Sequence, residues 1–167
     1  MARPERLPTQ CPVGRTLDRV GDGWTLLILR DAFHGLTRFD QFEKSLGVAP
    51  NILTKRLAGL VENGLLEKHR YIERPPRYEY RLTDMGRDFL PVLSAMLAFG
   101  NRHFFPEGVA SLLVDAETGA AAEPILVDKV SGKPIGPEHF TLAAGPSARA
   151  DTLERMAFVA ERRKAAT

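Results

Sequence analysis

The sequence is poor in the residues that define several functional classes. Of 167 residues only Cys11 is a cysteine, so no disulfide can form within the chain. Four histidines are scattered without metal-ligand spacing, which argues against structural zinc and leaves no metal or cofactor expected. No apolar run approaches the length of a membrane span. The first residues, Met1-Ala2-Arg3-Pro4-Glu5-Arg6-Leu7-Pro8, lack the apolar core of a signal peptide, so the cytoplasm is the expected location. No nucleophile, base and orienting group stand at a recognisable spacing, and His34, His69 and His103 have no acid or serine partner in a motif. The chain is therefore not expected to be an enzyme.

The net charge of +2 is small but unevenly placed. Residues 1–104 hold 16 Lys and Arg against 12 Asp and Glu, while residues 105–167 hold 7 against 9. The first part is thus basic and the second acidic. That asymmetry predicts a phosphate-binding surface in the first part.

Within it, Pro50 stands where a first helical turn tolerates a missing N–H, and Asn63-Gly64 is a C-terminal stop. Between them Leu53, Leu57, Leu60 and Val61 recur at helical spacing. Asn51, Thr54, Lys55 and Ala58 then face the other way, as a polar, cationic and slim surface suited to a major groove. Upstream, Thr37 to Gly47 reads as a short helix with Phe39, Phe42 and Leu46 inward and Gly47 in a tight turn. Downstream, residues 65–72 and 78–82 are rich in aromatic and branched residues and flank Glu73-Arg74-Pro75-Pro76-Arg77, as in a β-hairpin with a basic tip. Helix, turn, helix and basic hairpin is the order of a winged helix. The predicted groove contacts are Asn51, Thr54 and Lys55, with Arg56 at the flank; Arg38, Lys68, Arg70, Arg74 and Arg77 are predicted phosphate contacts.

Before this module, Pro12 marks the start of a first helix with Cys11 at its cap, ending before Gly21-Asp22-Gly23. A thiol there faces unpaired N–H groups and the positive end of the helix dipole, with Arg15 one turn on, so a thiolate is favoured; Cys11 is a redox-sensing candidate, with an inert structural thiol as the alternative. Trp24 to Phe33 is apolar nearly all round and belongs in the core. After the hairpin, Thr83 caps a helix expected to run unbroken to about Phe104, with Pro91 bending it. Its apolar residues exceed what a small winged helix can cover, so Phe89, Leu93, Met96, Leu97 and Phe104 are predicted dimerisation residues.

These residues carry a resemblance to a known family. Cys11-Pro12-Val13, Gly23-Trp24-Thr25-Leu26-Leu27-Ile28-Leu29-Arg30, Arg38-Phe39, Leu53-Thr54, Leu57, Leu60, Asn63-Gly64-Leu65, Tyr78-Glu79-Tyr80, Leu82-Thr83 and Gly86 occur in the order found in HxlR-type winged helix-turn-helix transcriptional regulators of bacteria. The resemblance runs from about Cys11 to Phe104. It implies a homodimeric repressor or activator on a pseudo-palindromic operator of double-stranded DNA, and some members of the family are thiol-based redox sensors. The alternative is a winged-helix interaction module that binds protein and not DNA.

Residues 105–167 contain a short repeat, Leu113-Val114-Asp115-Ala116-Glu117-Thr118-Gly119 and Leu126-Val127-Asp128-Lys129-Val130-Ser131-Gly132. Asp, a hydroxyl residue and Gly make a turn closed by a left-handed glycine, which here is favoured over a metal reading of the aspartates. The expectation is a three-stranded meander over about 108–115, 122–128 and 134–143. Asp151-Thr152-Leu153-Glu154 reads as a capping box opening a last helix. The predicted class is thus α+β: a winged helix-turn-helix and dimerisation domain over 1–104, and a meander-plus-helix extension over 105–167 that could form one wall of a pocket for a small-molecule effector.

Overall fold

The computed structural model describes residues 10–165; the N-terminal stretch read above for a signal peptide lies outside them. In order come α1 (Pro12–Val20), α2 (Gly23–Phe33), α3 (Phe39–Leu46), α4 (Pro50–Glu62), β1 (Leu66–Ile72), β2 (Arg77–Leu82), α5 (Asp84–Arg87), α6 (Leu90–His103) and α7 (Ala150–Ala165). Arg19–Pro124 pack as one compact unit; the described parts of Met1–Asp18 and Ile125–Thr167 form a second.

The first unit is a winged helix, and each of its elements has a local cause. Asp22 caps α2, its Oδ1 accepting from the N–H groups of Trp24 (3.1 Å) and Thr25 (3.3 Å). Gln41 Oε1 accepts from the Thr37 and Arg38 N–H groups and fixes the entry to α3, which ends on Gly47 at φ +60°. Pro50 opens α4 as expected. The helix closes with the Leu65 N–H on the Leu60 carbonyl and the Gly64 N–H on that of Val61, made possible by Gly64 at φ +76°. Phe42, Ile28, Leu29, Leu53, Leu57, Leu60 and Leu66 are almost wholly buried and form the centre. Each contributes about 1.5–3 kcal/mol of apolar burial.

β1 and β2 pair antiparallel from Leu66 opposite Leu82 to Ile72 opposite Arg77, with a bulge between Arg70 and Ile72. A bridge from Arg38 to Glu79, and the Tyr80 N–H on the Thr37 carbonyl at 2.7 Å, tie this wing to the start of α3. At its base, Thr83 Oγ1 donates to the Gly64 carbonyl (2.6 Å) and accepts the Gly86 N–H (3.0 Å).

Three expectations are corrected. The helix after the wing is two helices, not one. Pro91 has no N–H and its ring crowds the carbonyl four residues back, so α5 ends at Arg87 and α6 starts at Leu90 around Phe89. The three-stranded meander is absent among the described residues: only isolated bridges form, Val114 to Ala121 and Val127 to Pro134, and 134–143 contains no strand. Its two hairpins fall in different units, and Ile125, Leu126, Val127, Val130, Ile135 and Leu142 are exposed, so no covered apolar face sustains a sheet. The turns themselves are as read: Asp115 Oδ1 accepts from the Thr118 N–H (2.8 Å) and hydroxyl (2.9 Å), Asp128 Oδ2 from the same groups of Ser131 (2.8 and 2.6 Å), and Gly119 and Gly132 sit at φ +71° and +70°. Finally, α7 starts at Ala150, so Asp151 lies in its first turn; Arg149 supplies the carbonyl that receives the Thr152 and Leu153 N–H groups. In that unit Gln10 accepts the Arg149 N–H (2.7 Å) and donates to the Ser147 carbonyl (3.3 Å).

Candidate nucleic-acid interface

The outer face of α4 is formed by default. Packing Leu53, Leu57 and Leu60 into the core turns Asn51, Thr54, Lys55 and Ala58 to solvent, and all four are exposed. Two are already engaged with their own helix: Asn51 Oδ1 accepts the Ile52 N–H (2.9 Å) and the Thr54 hydroxyl donates to the Pro50 carbonyl (2.8 Å). The hydroxyl of Thr54 therefore presents its lone pairs outward as an acceptor.

Arg56 behaves differently. Its guanidinium turns back to Asp22, with Nη2 at 2.8 Å from Oδ2 and both side chains only about a third exposed. The carboxylate that caps α2 thus also holds α4. Asp22 carried no role in the sequence reading, because its partner lies 34 residues away.

The remaining cations lie on the wing and, for Arg38, at the start of α3, and two tyrosines engage three of them. Lys68 Nζ stands 4.0 Å from the centroid of the Tyr78 ring; Arg70 stands 5.7 Å from the same ring and donates to the Tyr78 hydroxyl at 3.4 Å. Arg38 lies over Tyr71 at 5.1 Å. Arg70 is also paired with Glu73 at 3.0 Å, while Arg74 and Arg77 are exposed at the tip. Alternation along β1 puts Lys68 and Arg70 on one face, and Tyr78 sits opposite Arg70 in the register. That pairing was the available sequence signal for Tyr78.

Of the predicted dimerisation residues, Phe89 and Leu93 pack against the core of the same unit, Leu97 is half-buried, and Met96 and Phe104 are exposed. α6 contains no fully buried residue, and Leu90, Val92 and Phe99 add to its exposed apolar surface. Phe99, His103 and Phe104 cluster at its end, with ring centroids 4.7 to 6.4 Å apart. Residues 109–124 run beside α6, held by Asn101 Nδ2 on the Ser111 carbonyl (2.9 Å), and leave a largely apolar cleft of about 250 Å³.

Cys11 precedes α1 and is half-buried. The N–H groups of Gly14 and then Val13 hold its thiol below the usual cysteine value, against slight desolvation, and the Arg155 guanidinium from α7 adds to the effect. The sequence pointed to the helix terminus and to Arg15; the cation that adds to the effect of the N–H groups is Arg155 of α7. Among the described residues no group of His, Cys, Asp or Glu could hold a metal ion, and no helix is long and apolar enough to cross a membrane.

The model of the HxlR-like helix-turn-helix family matches residues 19–107. An uncharacterized HTH-type transcriptional regulator of Mycobacterium tuberculosis, Rv3095, is 40% identical over 139 residues, covering 83% of this chain and 88% of the relative. The crystal structure of PA1607, a candidate transcription factor, superposes with a TM-score of 0.75 at 41% identity over 83% of this chain and 97% of that one. The redox regulator HypR in its reduced form gives a TM-score of 0.53 at 30% identity, covering 58% of this chain and 99% of its own. The chain belongs to the HxlR-like helix-turn-helix family, and is a winged-helix transcriptional regulator and not an enzyme.

Proposed function

We propose that this regulator acts in the cytoplasm as a homodimer that binds a pseudo-palindromic operator in double-stranded DNA. The observation that carries the reading is the outer face of α4, exposed and slim opposite a fully buried leucine stripe, together with a wing on which Tyr78 engages Lys68 and Arg70. Asn51, Thr54 and Lys55 enter the major groove, and Arg38, Lys68, Arg70, Arg74 and Arg77 meet phosphates. The exposed apolar side of α6, with Met96, Phe99 and Phe104, supports a dimer seam. Two-fold symmetry then sets the recognition helices about 34–36 Å apart, one turn of B-DNA. On this reading residues 1–104 are the DNA-binding and dimerisation domain, and 105–167 an extension to it.

Cys11 is the proposed sensor. A thiolate-favouring site that is only half-buried supports it, as does the likeness to a redox regulator. With no second cysteine in the chain, any disulfide must join two subunits or attach a small thiol. Fluorescence anisotropy tests both parts: the protein is titrated onto DNA from upstream of its own gene and onto scrambled DNA, across a salt series, reduced and then oxidised. Sequence-specific binding is expected, altered by oxidation and restored by reductant; in Cys11→Ser the oxidation response is lost. Failure to bind any DNA at low salt overturns the reading. Specific binding indifferent to oxidation removes Cys11 as sensor and turns the search to a small-molecule effector.

A further inference from the structure

Arg56 stands in the middle of α4. At about 100° per residue it lies roughly 140° round the helix from Asn51, at the edge of the buried stripe and away from the outer face. Its guanidinium is bound to Asp22 at 2.8 Å, and its Nε is enclosed without a partner among the described residues. Asp22 is itself fixed, because its other oxygen accepts two N–H groups at the start of α2. One carboxylate therefore joins the N-terminus of a core helix to the middle of the proposed recognition helix.

We infer that Asp22 and Arg56 are a positioning pair that fixes the rotation of α4, and so controls base discrimination without touching the DNA. The inference rests on the DNA-binding reading above. The leucine stripe holds α4 in the core but is apolar and tolerant of small rotations, whereas an ion pair to a capped helix end defines one setting. A small rotation about the α4 axis moves Asn51, Thr54 and Lys55 relative to base edges, while the cations that meet phosphates keep their number. Losing the pair should thus lower discrimination and leave the salt dependence intact.

The test uses the full chain. The wild-type protein selects its preferred duplex from a random-sequence pool, and anisotropy then compares that duplex with a scrambled one over a salt series. Arg56→Met is expected to lower the preference for the selected duplex about fivefold, the scale of a coupled polar pair, with an unchanged salt slope. Arg56→Lys should recover part of it. Asp22→Asn keeps a good helix cap, so folding is retained and checked by a thermal melt. Simple electrostatics predicts that removing this acid tightens binding to every DNA; the positioning pair predicts instead the same loss of preference as Arg56→Met. The double variant should be no worse than either single one. A flattened salt slope and equal loss on both duplexes in Arg56→Met would make Arg56 a phosphate contact and overturn the inference, as would fully additive single effects. If the wild type selects no sequence, the DNA-binding reading fails and this one with it, whereas wild-type selection with unaffected variants refutes only the pair.

Discussion

Gly86→Ala offers the most direct test of how the wing is attached. A Cβ at Gly86 would stand 2.1 Å from the Leu65 carbonyl oxygen and 3.1 Å from both the Leu65 carbonyl carbon and Leu82 Cδ2. An ordinary carbon–oxygen approach is about 3.3 Å, so backbone must move by roughly 1 Å. The Leu65 carbonyl is not free to move, because it receives the Thr83 N–H at 3.1 Å and lies between α4 and β1. Overpacking of this kind costs about 1–3 kcal/mol, and a weakened buried N–H bond adds about 1–3 more. Replacing glycine by alanine in a helix returns up to about 1 kcal/mol. The balance is a loss of about 1–6 kcal/mol, or of order 5–50 °C in the melting temperature of a unit this size. Gly59→Ala is the control: it lies within α4, and nothing stands within 4 Å of its Cβ position. The same chemical change there should stabilise by about 0.5–1 kcal/mol. Circular dichroism melts of the three proteins decide the matter. A Gly86→Ala protein that melts with or above the wild type would refute the contact at the base of the wing.

Other substitutions separate the parts of the interface. Lys55→Ala should cost roughly 1–3 kcal/mol on the preferred duplex and much less on random DNA, and equal losses would make it a phosphate contact. Arg74→Ala should weaken both alike and flatten the salt dependence by about one ion; an unchanged slope counts against the wing. If the wild type sediments as the proposed dimer, Phe99→Asp, which places a charge on the exposed side of α6, should yield monomer, and a persistent dimer would move the seam elsewhere. Asp115 and Asp128 are held below the usual carboxylate value, chiefly by the Thr118 N–H and by the Ser131 hydroxyl respectively. Depressed values mean that both turns are supported above the ordinary aspartate pKa of about 3.9, and lose that support as pH falls through the lower folded values. The amide signals of Thr118 and Ser131 in nuclear magnetic resonance should report the change, and midpoints at or above the ordinary value would refute it.

What could be read from sequence was what neighbouring residues decide. Pro50, Asn63-Gly64 and the spacing of Leu53, Leu57 and Leu60 define α4 from within, and Asp115-Thr118-Gly119 defines its turn in the same way. The strands expected around those turns do not form because a sheet also needs a covered face, and Ile125 at 69% and Leu142 at 74% exposure show none. Pro91 was legible as a perturbation but not as a break, since the missing N–H and the ring clash allow either a bend or an interruption. The same distinction bears on the charge surplus of residues 1–104. The sequence placed Arg56 at the flank of the groove and Arg70 on phosphate, yet Arg56 is bound to Asp22 and Arg70 to Glu73. Composition therefore overstates the charge facing a nucleic acid. On the proposed reading part of it orients the recognition helix and the wing, and a cation held by a carboxylate would act on specificity through geometry even where it neutralises no phosphate.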